Sequence, residues 1–289
     1  MFCGLASPNL RDRVQQLARD WRLLIQGSFE TETSVVSFVT RDNQSLVLKV
    51  IKQENDEWRA GEVLNAFAAN GVPQVFEHTG GAMLLERLQP GNSLADLSLA
   101  GGDEEATEIL AGVIGRMSPL ATPDGCPKVE DWGKGFERYL ATGDGRVPRR
   151  SVDAAQRVFA ELCASQSRTR LLHGDLHHYN VLFDSQRGWL AIDPKGVIAE
   201  VEYEIGAILR NPFERPDLFL SRSTIERRIE QLTASLNLNR ERVMGWAFAQ
   251  AVLSAIWQIE DGFEVDGSNT SLKLAKAISP MLTVPVDVD

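Results

Sequence analysis

The stretch His173-Gly174-Asp175-Leu176-His177-His178-Tyr179-Asn180 carries an aspartate and, five residues on, an asparagine. Asp193 follows beyond two apolar runs, Val181-Leu182-Phe183 and Trp189-Leu190-Ala191-Ile192. These residue types suit transfer of a phosphoryl group to an alcohol. The hydroxyl needs a group that takes its proton and aims its oxygen in line with the phosphorus, a role for Asp175. The phosphates need Mg²⁺ to neutralise their charge, and that cation takes oxygen ligands. Asn180 would supply a neutral oxygen and Asp193 an anionic one. The two apolar runs read as a hairpin across Asp184-Ser185-Gln186-Arg187-Gly188, which brings Asn180 and Asp193 to the same end.

The elements that must position this loop can be read from periodicity. Leu10, Val14, Leu17 and Trp21 have helical spacing. Leu23–Ile25, Val35–Val39, Leu46–Ile51, Gln74–His78 and Ala82–Leu88 predict the strands of a small antiparallel sheet, with Arg41-Asp42-Asn43-Gln44 as a turn. A helix is expected over Trp58–Ala69 and further helices from Leu94 onward. The stretch Arg240–Ile259 is apolar all round its middle, which predicts a buried helix. Lys49 lies inside an apolar strand, either as an edge-strand gatekeeper or as a charge held for a partner.

The motifs His173-Gly174-Asp175-Leu176-His177-His178-Tyr179-Asn180-Val181-Leu182 and Ala191-Ile192-Asp193-Pro194-Lys195-Gly196 resemble those of the aminoglycoside phosphotransferase superfamily. Asp193-Pro194-Lys195-Gly196, Leu209-Arg210-Asn211-Pro212 and Trp257-Gln258-Ile259-Glu260-Asp261-Gly262 point to its streptomycin 6-kinase or hydroxyurea phosphotransferase branch. The resemblance extends, more weakly, from about Trp21 to Asp261. It implies an α+β, two-lobed, protein-kinase-like fold. Residues 1–88 would be a small antiparallel-sheet lobe that binds nucleotide, and 89–289 a larger, mainly helical lobe that carries catalysis and the acceptor.

The resemblance also implies roles for single residues. Lys49 would orient the phosphates of ATP, with GTP as the alternative, braced by Glu62 or, in another helix register, by Glu57. Gly27, the one glycine of the segment Gln26–Ser34, would lie over the nucleotide. Glu86-Arg87-Leu88 would be the hinge, its backbone meeting the base at Glu86 and Leu88. Glu260 and Asp261 lie where the family holds its acceptor, and paired carboxylates there suit cationic groups. His177 or His178 would face the phosphate or acceptor while the other stays exposed. Lys195 would touch phosphate or pair with Glu202. Glu204 stands where the family often has an aspartate that caps a helix or braces the catalytic loop.

Composition narrows the partners. A net charge of −10 with no dense basic run argues against nucleic acid and suits a cationic small molecule. No apolar run approaches the length of a membrane span, and the N-terminus lacks a signal-peptide core. Cys3, Cys126 and Cys163 are odd in number and scattered, so a disulfide framework is not indicated. These features imply a cytoplasmic monomer or weak dimer. Three other functions fit parts of the pattern: a kinase of hydroxyurea or another small metabolite, a nucleotide-binding pseudokinase, and a metallohydrolase with zinc on His173, Asp175, His177 and His178. The last lacks a helix to space its ligands and a remote ligand cluster.

Overall fold

The computed structural model describes residues 8–283. The helix α1 (Pro8–Asp20) precedes β1 (Leu24–Glu30), β2 (Ser34–Arg41) and β3 (Gln44–Ile51); α2 (Ala60–Ala66) leads to β4 (Val75–Thr79) and β5 (Ala82–Glu86). The five strands form one antiparallel sheet in the order β1-β2-β3-β5-β4. The β2–β3 turn is tight because Asp42 and Asn43 both take positive φ, 49° and 63°, as a two-residue hairpin turn requires.

Period-2 alternation divides β3 between two environments. Leu46, Leu48 and Val50 face α1 and join Leu10, Val14 and Ala18 in one core. Val47 and Lys49 face the opposite side, where they line a cleft. Lys49 therefore sits in the middle strand of the sheet, which removes the edge-gatekeeper reading.

The larger lobe begins with β6 (Pro90–Ser93), α3 (Leu94–Leu99), α4 (Asp103–Arg116), α5 (Val129–Thr142) and α6 (Arg149–Ala164). Then come β7 (Arg170–Leu172), β8 (Val181–Asp184), β9 (Gly188–Ala191) and β10 (Val197–Ala199), and after them α7 (Ile205–Leu209), α8 (Pro216–Phe219), α9 (Arg222–Leu236), α10 (Arg240–Glu260) and α11 (Thr270–Ile278). The β8–β9 hairpin pairs Val181 with Ala191 and Asp184 with Gly188. β6 adds to it as a third strand, and β7 pairs with β10. Helix α10 runs through the lobe with Trp246, Phe248, Val252, Leu253 and Ile256 fully buried, as its all-round apolar sequence requires. Among the described residues no helix is long and apolar enough to cross a membrane.

The principal core does not stop at the small lobe. Val63, Leu64 and Phe67 of α2 and its end, with Met83 and Leu85 of β5, belong to the same buried cluster as α10. Gly196 shows why α2 comes so close: a Cβ there would meet Val63 Cγ2 at 2.5 Å.

Candidate active site

The loop between β7 and β8 is held from beneath by Glu204. Its carboxylate accepts the backbone N–H groups of His173 at 2.8 Å, Gly174 at 3.0 Å and Leu176 at 3.4 Å. The longer side chain thus makes the brace expected of an aspartate. Burial raises its carboxyl to about 7, with the Gly174, Leu176 and His173 N–H groups pulling the other way. Gly174 has φ +83°, and a Cβ there would lie 2.8 Å from the Trp132 ring.

His173 is fully buried and completes the loop's frame. Its Nε2 lies 2.7 Å from the Ile192 carbonyl, and its Nδ1 accepts from the Asp175 N–H at 3.3 Å. This network requires a neutral ring with the proton on Nε2, and burial lowers its pKa to about 4.

Asp175 stands at the loop's crest with a carboxylate 23% exposed. Lys195 Nζ lies 3.7 Å from it, Arg210 Nη2 3.8 Å and His177 Nε2 3.9 Å. Burial alone would raise this carboxyl. Lys195, His177 and Arg210 outweigh it and hold the group below the ordinary carboxylate range. Lys195 reaches Asp56 at 3.9 Å on its other side and not Glu202, which accepts from the Asn239 N–H.

Asn180 and Asp193 both stand at the open end of the hairpin. The Ile192 N–H donates to the Asn180 carbonyl at 2.8 Å. Asn180 Nδ2 donates to the Asp175 carbonyl at 2.9 Å, and no donor among the described residues takes its Oδ1. Asp193 holds φ +58°, a left-handed conformation costly for a residue with a Cβ and typical of functional sites. A free amide oxygen and a carboxylate at one end of a hairpin are of the donor types that Mg²⁺ takes.

Asp193 Oδ1 lies 2.7 Å from Lys49 Nζ, which also holds Glu57 Oε2 at 2.9 Å. Of the two registers open in the sequence, the structure selects Glu57. Helix α2 starts only at Ala60, so Glu57 lies in the turn before it and reaches Lys49, while Glu62 in the first turn pairs with Arg59 at 2.5 Å. Glu62 is not the brace.

The cleft beside Lys49 has a volume of about 440 Å³, within the range of small-ligand sites. Val36, Phe38, Val47, Leu85, Leu182 and Ile192 supply apolar walls. Gly27 does not line it. It lies within β1, which continues past a register shift near Ile25 to Glu30, so Gln26–Glu30 is strand; the segment meets the cleft further along, through Phe29 and Thr31. Glu86 and Leu88 do line it, with one correction. The Glu86 N–H donates to the Gln74 carbonyl at 2.9 Å, and its carboxylate takes Arg187 and the Gln74 N–H. The Glu86 N–H is therefore committed to the sheet. The Leu88 N–H meets no acceptor among the described residues.

A second cavity, about 520 Å³, opens on the other side of Asp175. It is lined by five carboxylates, Asp56, Asp131, Asp175, Glu260 and Asp261, against Arg138, Lys195 and Arg210. Trp132 and Trp257, in edge contact at 5.9 Å, form an aromatic wall. Glu260 and Asp261 sit at the C-terminal end of α10, where the helix dipole adds negative potential. Arg138 answers Glu260 with a two-armed bond of 3.0 and 3.2 Å.

His177 lines this cavity, whereas His178 is fully buried, so neither is the exposed histidine that was expected. Among the described residues no group of three or more His, Cys, Asp or Glu side chains is arranged to hold a metal, which leaves the zinc-hydrolase reading without a site. Sequence reasoning passed over Arg210 as a functional side chain, although it stands in the quoted Leu209-Arg210-Asn211-Pro212 motif. Trp132 and Arg138 carried no local signal, because only the packing of α5 against α10 brings them to the cavity.

Comparison with known proteins agrees with this geometry. Residues 21–262 match the aminoglycoside/hydroxyurea antibiotic resistance kinase family. The chain is 32% identical over 250 residues to the streptomycin 3''-kinase of Klebsiella pneumoniae, covering 84% of this chain and 91% of that protein. It is 30% identical over 260 residues to the streptomycin 6-kinase of Streptomyces glaucescens, covering 86% and 83%. Among solved structures, a thermostable mutant of aminoglycoside phosphotransferase APH(4)-Ia in ternary complex with ADP and hygromycin B superposes with a TM-score of 0.64. At 16% identity over 91% of this chain and 97% of that one, the likeness shows the shared two-lobed, protein-kinase-like fold. Taken with the family match across most of its length, these relationships make the chain a member of the aminoglycoside/hydroxyurea antibiotic resistance kinase family, a phosphotransferase acting on an alcohol group.

Proposed function

We propose that the chain transfers the γ-phosphoryl group of ATP, in the cytoplasm, to a hydroxyl of a cationic aminoglycoside-like molecule of the streptomycin type. We divide its labour at residues 88 and 89, with the nucleotide held mainly by the small lobe. The observation that carries the reading is the placement of Asp175 in a cavity walled by four further carboxylates, next to a cleft lined by Lys49 and Asp193. An acceptor's ammonium or guanidinium groups would meet Asp131 and Asp261 and compete with Arg138 for Glu260. The streptomycin kinases among its relatives support the same class.

In this mechanism the base stacks among the apolar walls and bonds the free Leu88 N–H. Lys49, braced by Glu57, orients the phosphates. Mg²⁺, held by the Asn180 amide oxygen and Asp193, would neutralise charge on the phosphate oxygens. Asp175 accepts the acceptor's O–H, aims its oxygen at the phosphorus and takes the proton as the new O–P bond forms and ADP leaves. A carboxylate held this acidic is a weak base, so it acts chiefly by aiming, with the proton moving late.

The test is nucleotide consumption by the purified protein with Mg²⁺ against streptomycin, other aminoglycosides, hydroxyurea and small amino-alcohols, with Asp175→Ala as control. Streptomycin-dependent turnover that falls at least about 10³-fold in the variant, with ATP still bound, supports the assignment. Full turnover by Asp175→Ala would refute the mechanism. Turnover confined to hydroxyurea or an amino-alcohol would move the substrate away from aminoglycosides.

A further inference from the structure

Two buried arginines are brought near one another by the fold, Arg228 bonding the carbonyls of Ile208 and Asn211 on the segment that carries Arg210, and they differ in one respect. Arg228 of α9 is fully buried, and its donors are taken: Asp103 receives Nε and Nη2, and the carbonyls of Ile208 and Asn211 receive Nη1 at 3.0 and 2.7 Å. That is the pattern of a structural arginine. Arg210 lies on the segment that Arg228 ties down, and its side chain is only 14% exposed. Among the described residues it makes one hydrogen bond, from Nη1 to Gln250 Oε1 at 3.2 Å. Its Nη2 turns to the acceptor cavity, 3.8 Å from Asp175 Oδ1, beyond hydrogen-bonding distance, and meets no acceptor among the described residues.

The side chain is nevertheless fixed. Gln250 anchors it from α10 and donates its own Nε2 to the Tyr203 carbonyl at 2.5 Å. Gln250 fits only because residue 206 is glycine, where a Cβ would lie 2.2 Å from Gln250 Oε1. Lys195 converges from the opposite side, with Nζ 3.7 Å from the other oxygen of Asp175. A confined guanidinium with unfilled donors is costly unless something receives them in the working state. Asp175 alone does not, because both cations stand off from it.

We propose that Arg210 and Lys195 are catalytic residues that grip the transferring phosphoryl group from the acceptor side. The inference rests on the phosphotransfer reading of Asp175. As the acceptor oxygen–phosphorus bond forms and the bond from phosphorus to the ADP oxygen breaks, the three equatorial oxygens carry the charge. Arg210 Nη2 and Lys195 Nζ then donate to those oxygens, while the acceptor's proton goes to Asp175. The grip strengthens only when the phosphoryl group moves towards Asp175, so it acts on kcat.

The experiment uses the full chain and the variants Arg210→Met, Arg210→Lys and Lys195→Met. One arm measures kcat and ADP affinity. The second titrates ADP with aluminium fluoride and Mg²⁺, a planar mimic of the moving phosphoryl group, in the presence of streptomycin. Expected are a fall in kcat of about 10²- to 10³-fold for Arg210→Met, unchanged ADP binding, and loss of the fluoride-dependent gain in ADP affinity. Arg210→Lys should recover part of kcat. A fluoride-dependent gain of wild-type size in Arg210→Met would overturn the proposal, as would ADP affinity falling in step with kcat. If streptomycin is not phosphorylated, the slow hydrolysis of ATP by water reads the same grip. That rate falling in Arg210→Met would sustain the inference while the substrate assignment failed, and no fall would refute it.

Discussion

Lys49 ties the middle of the sheet to the end of the β8–β9 hairpin through Asp193, its Nζ 2.7 Å from Oδ1. Burial would lower the ammonium's pKa, but Asp193 and Glu57 reverse this and raise it, so the charge is secure at neutral pH. Were Asp193 to turn to a metal ion as proposed, Glu57 would remain as the partner of Lys49. Glu57→Gln should therefore cut kcat/KM for ATP by about tenfold, in line with loss of one charge-assisted hydrogen bond. Glu62→Gln, which loses only a pairing with Arg59, should stay within about twofold. Steady-state kinetics with varied ATP distinguishes them. Equal losses would return the bracing role to the helix.

Glu204 sets the height of the Asp175 loop by collecting the N–H groups of His173, Gly174 and Leu176. Glu204→Asp withdraws the carboxylate by about 1.5 Å, one carbon–carbon bond. Displacement of the loop by that order should reduce kcat about 10²-fold while ATP binding holds. The measurement is kcat beside nucleotide affinity. A fully active aspartate variant would mean that the loop keeps its shape without the brace.

Among the described residues nothing bonds either ring nitrogen of the buried His178, and burial lowers its pKa to about 3, with Arg228 adding to the effect. The unfolded chain binds a proton there below about 6.5, whereas the folded chain refuses it until about 3. Stability from this group is therefore complete above 6.5 and lost as the pH falls towards 3. His178→Leu should match wild type near pH 7 and exceed it by on the order of 2 kcal/mol at pH 5. Urea unfolding at the two pH values tests this. A constant offset would place the acid sensitivity elsewhere.

The Asp103–Arg228 pair joins α4 to α9 with both side chains buried and Ser98 donating to Asp103 at 2.7 Å. Arg228, Ser98 and Arg227 together hold the Asp103 carboxyl well below its usual range despite burial. Arg228→Leu strands that carboxylate and releases the carbonyls of Ile208 and Asn211. A loss of about 3–5 kcal/mol in chemical denaturation is expected. Asp103→Asn with Arg228→Leu should recover part of it, and failure of the double variant to recover any would show that the two do not act as a pair.

The legible parts of the fold were those set by local pattern. Asp42-Asn43 demanded a hairpin turn, the all-round apolar run around Trp246 demanded burial, and the spacing from Asp175 to Asn180 and across the hairpin to Asp193 put three chemical groups at one end of a short ribbon. What escaped was settled at a distance. Whether Glu57 or Glu62 met Lys49 depended on where α2 begins, and Arg59 ahead of it offers no side-chain cap to mark the start. Gly27 suggested a loop, yet it takes no positive φ, and pairing with β2 carries β1 through it. Arg138 and Glu260 are 122 residues apart and meet only when α5 packs on α10. Arg210 was visible in a motif, but its unfilled donors became apparent only beside the saturated Arg228.

The contact of Val63 with Gly196 has a consequence for how nucleotide enters and leaves. Because α2 and the inner face of β5 share the apolar interior of the helical lobe, swinging the small lobe away as one piece would strip Val63, Leu64, Phe67 and Met83 of their neighbours. Opening by that route would expose oil to water. The ribbon of β1 and β2 is tied down as well: β2 pairs with β3 along its whole length, Lys52 Nζ donates to the Thr31 carbonyl at 2.6 Å and Thr33 Oγ1 donates to Glu57 at 3.3 Å. Sheet, helix α2 and the interior of the helical lobe are therefore one continuous body of packing, so a cavity opened at Val63 would be felt on both sides of the cleft.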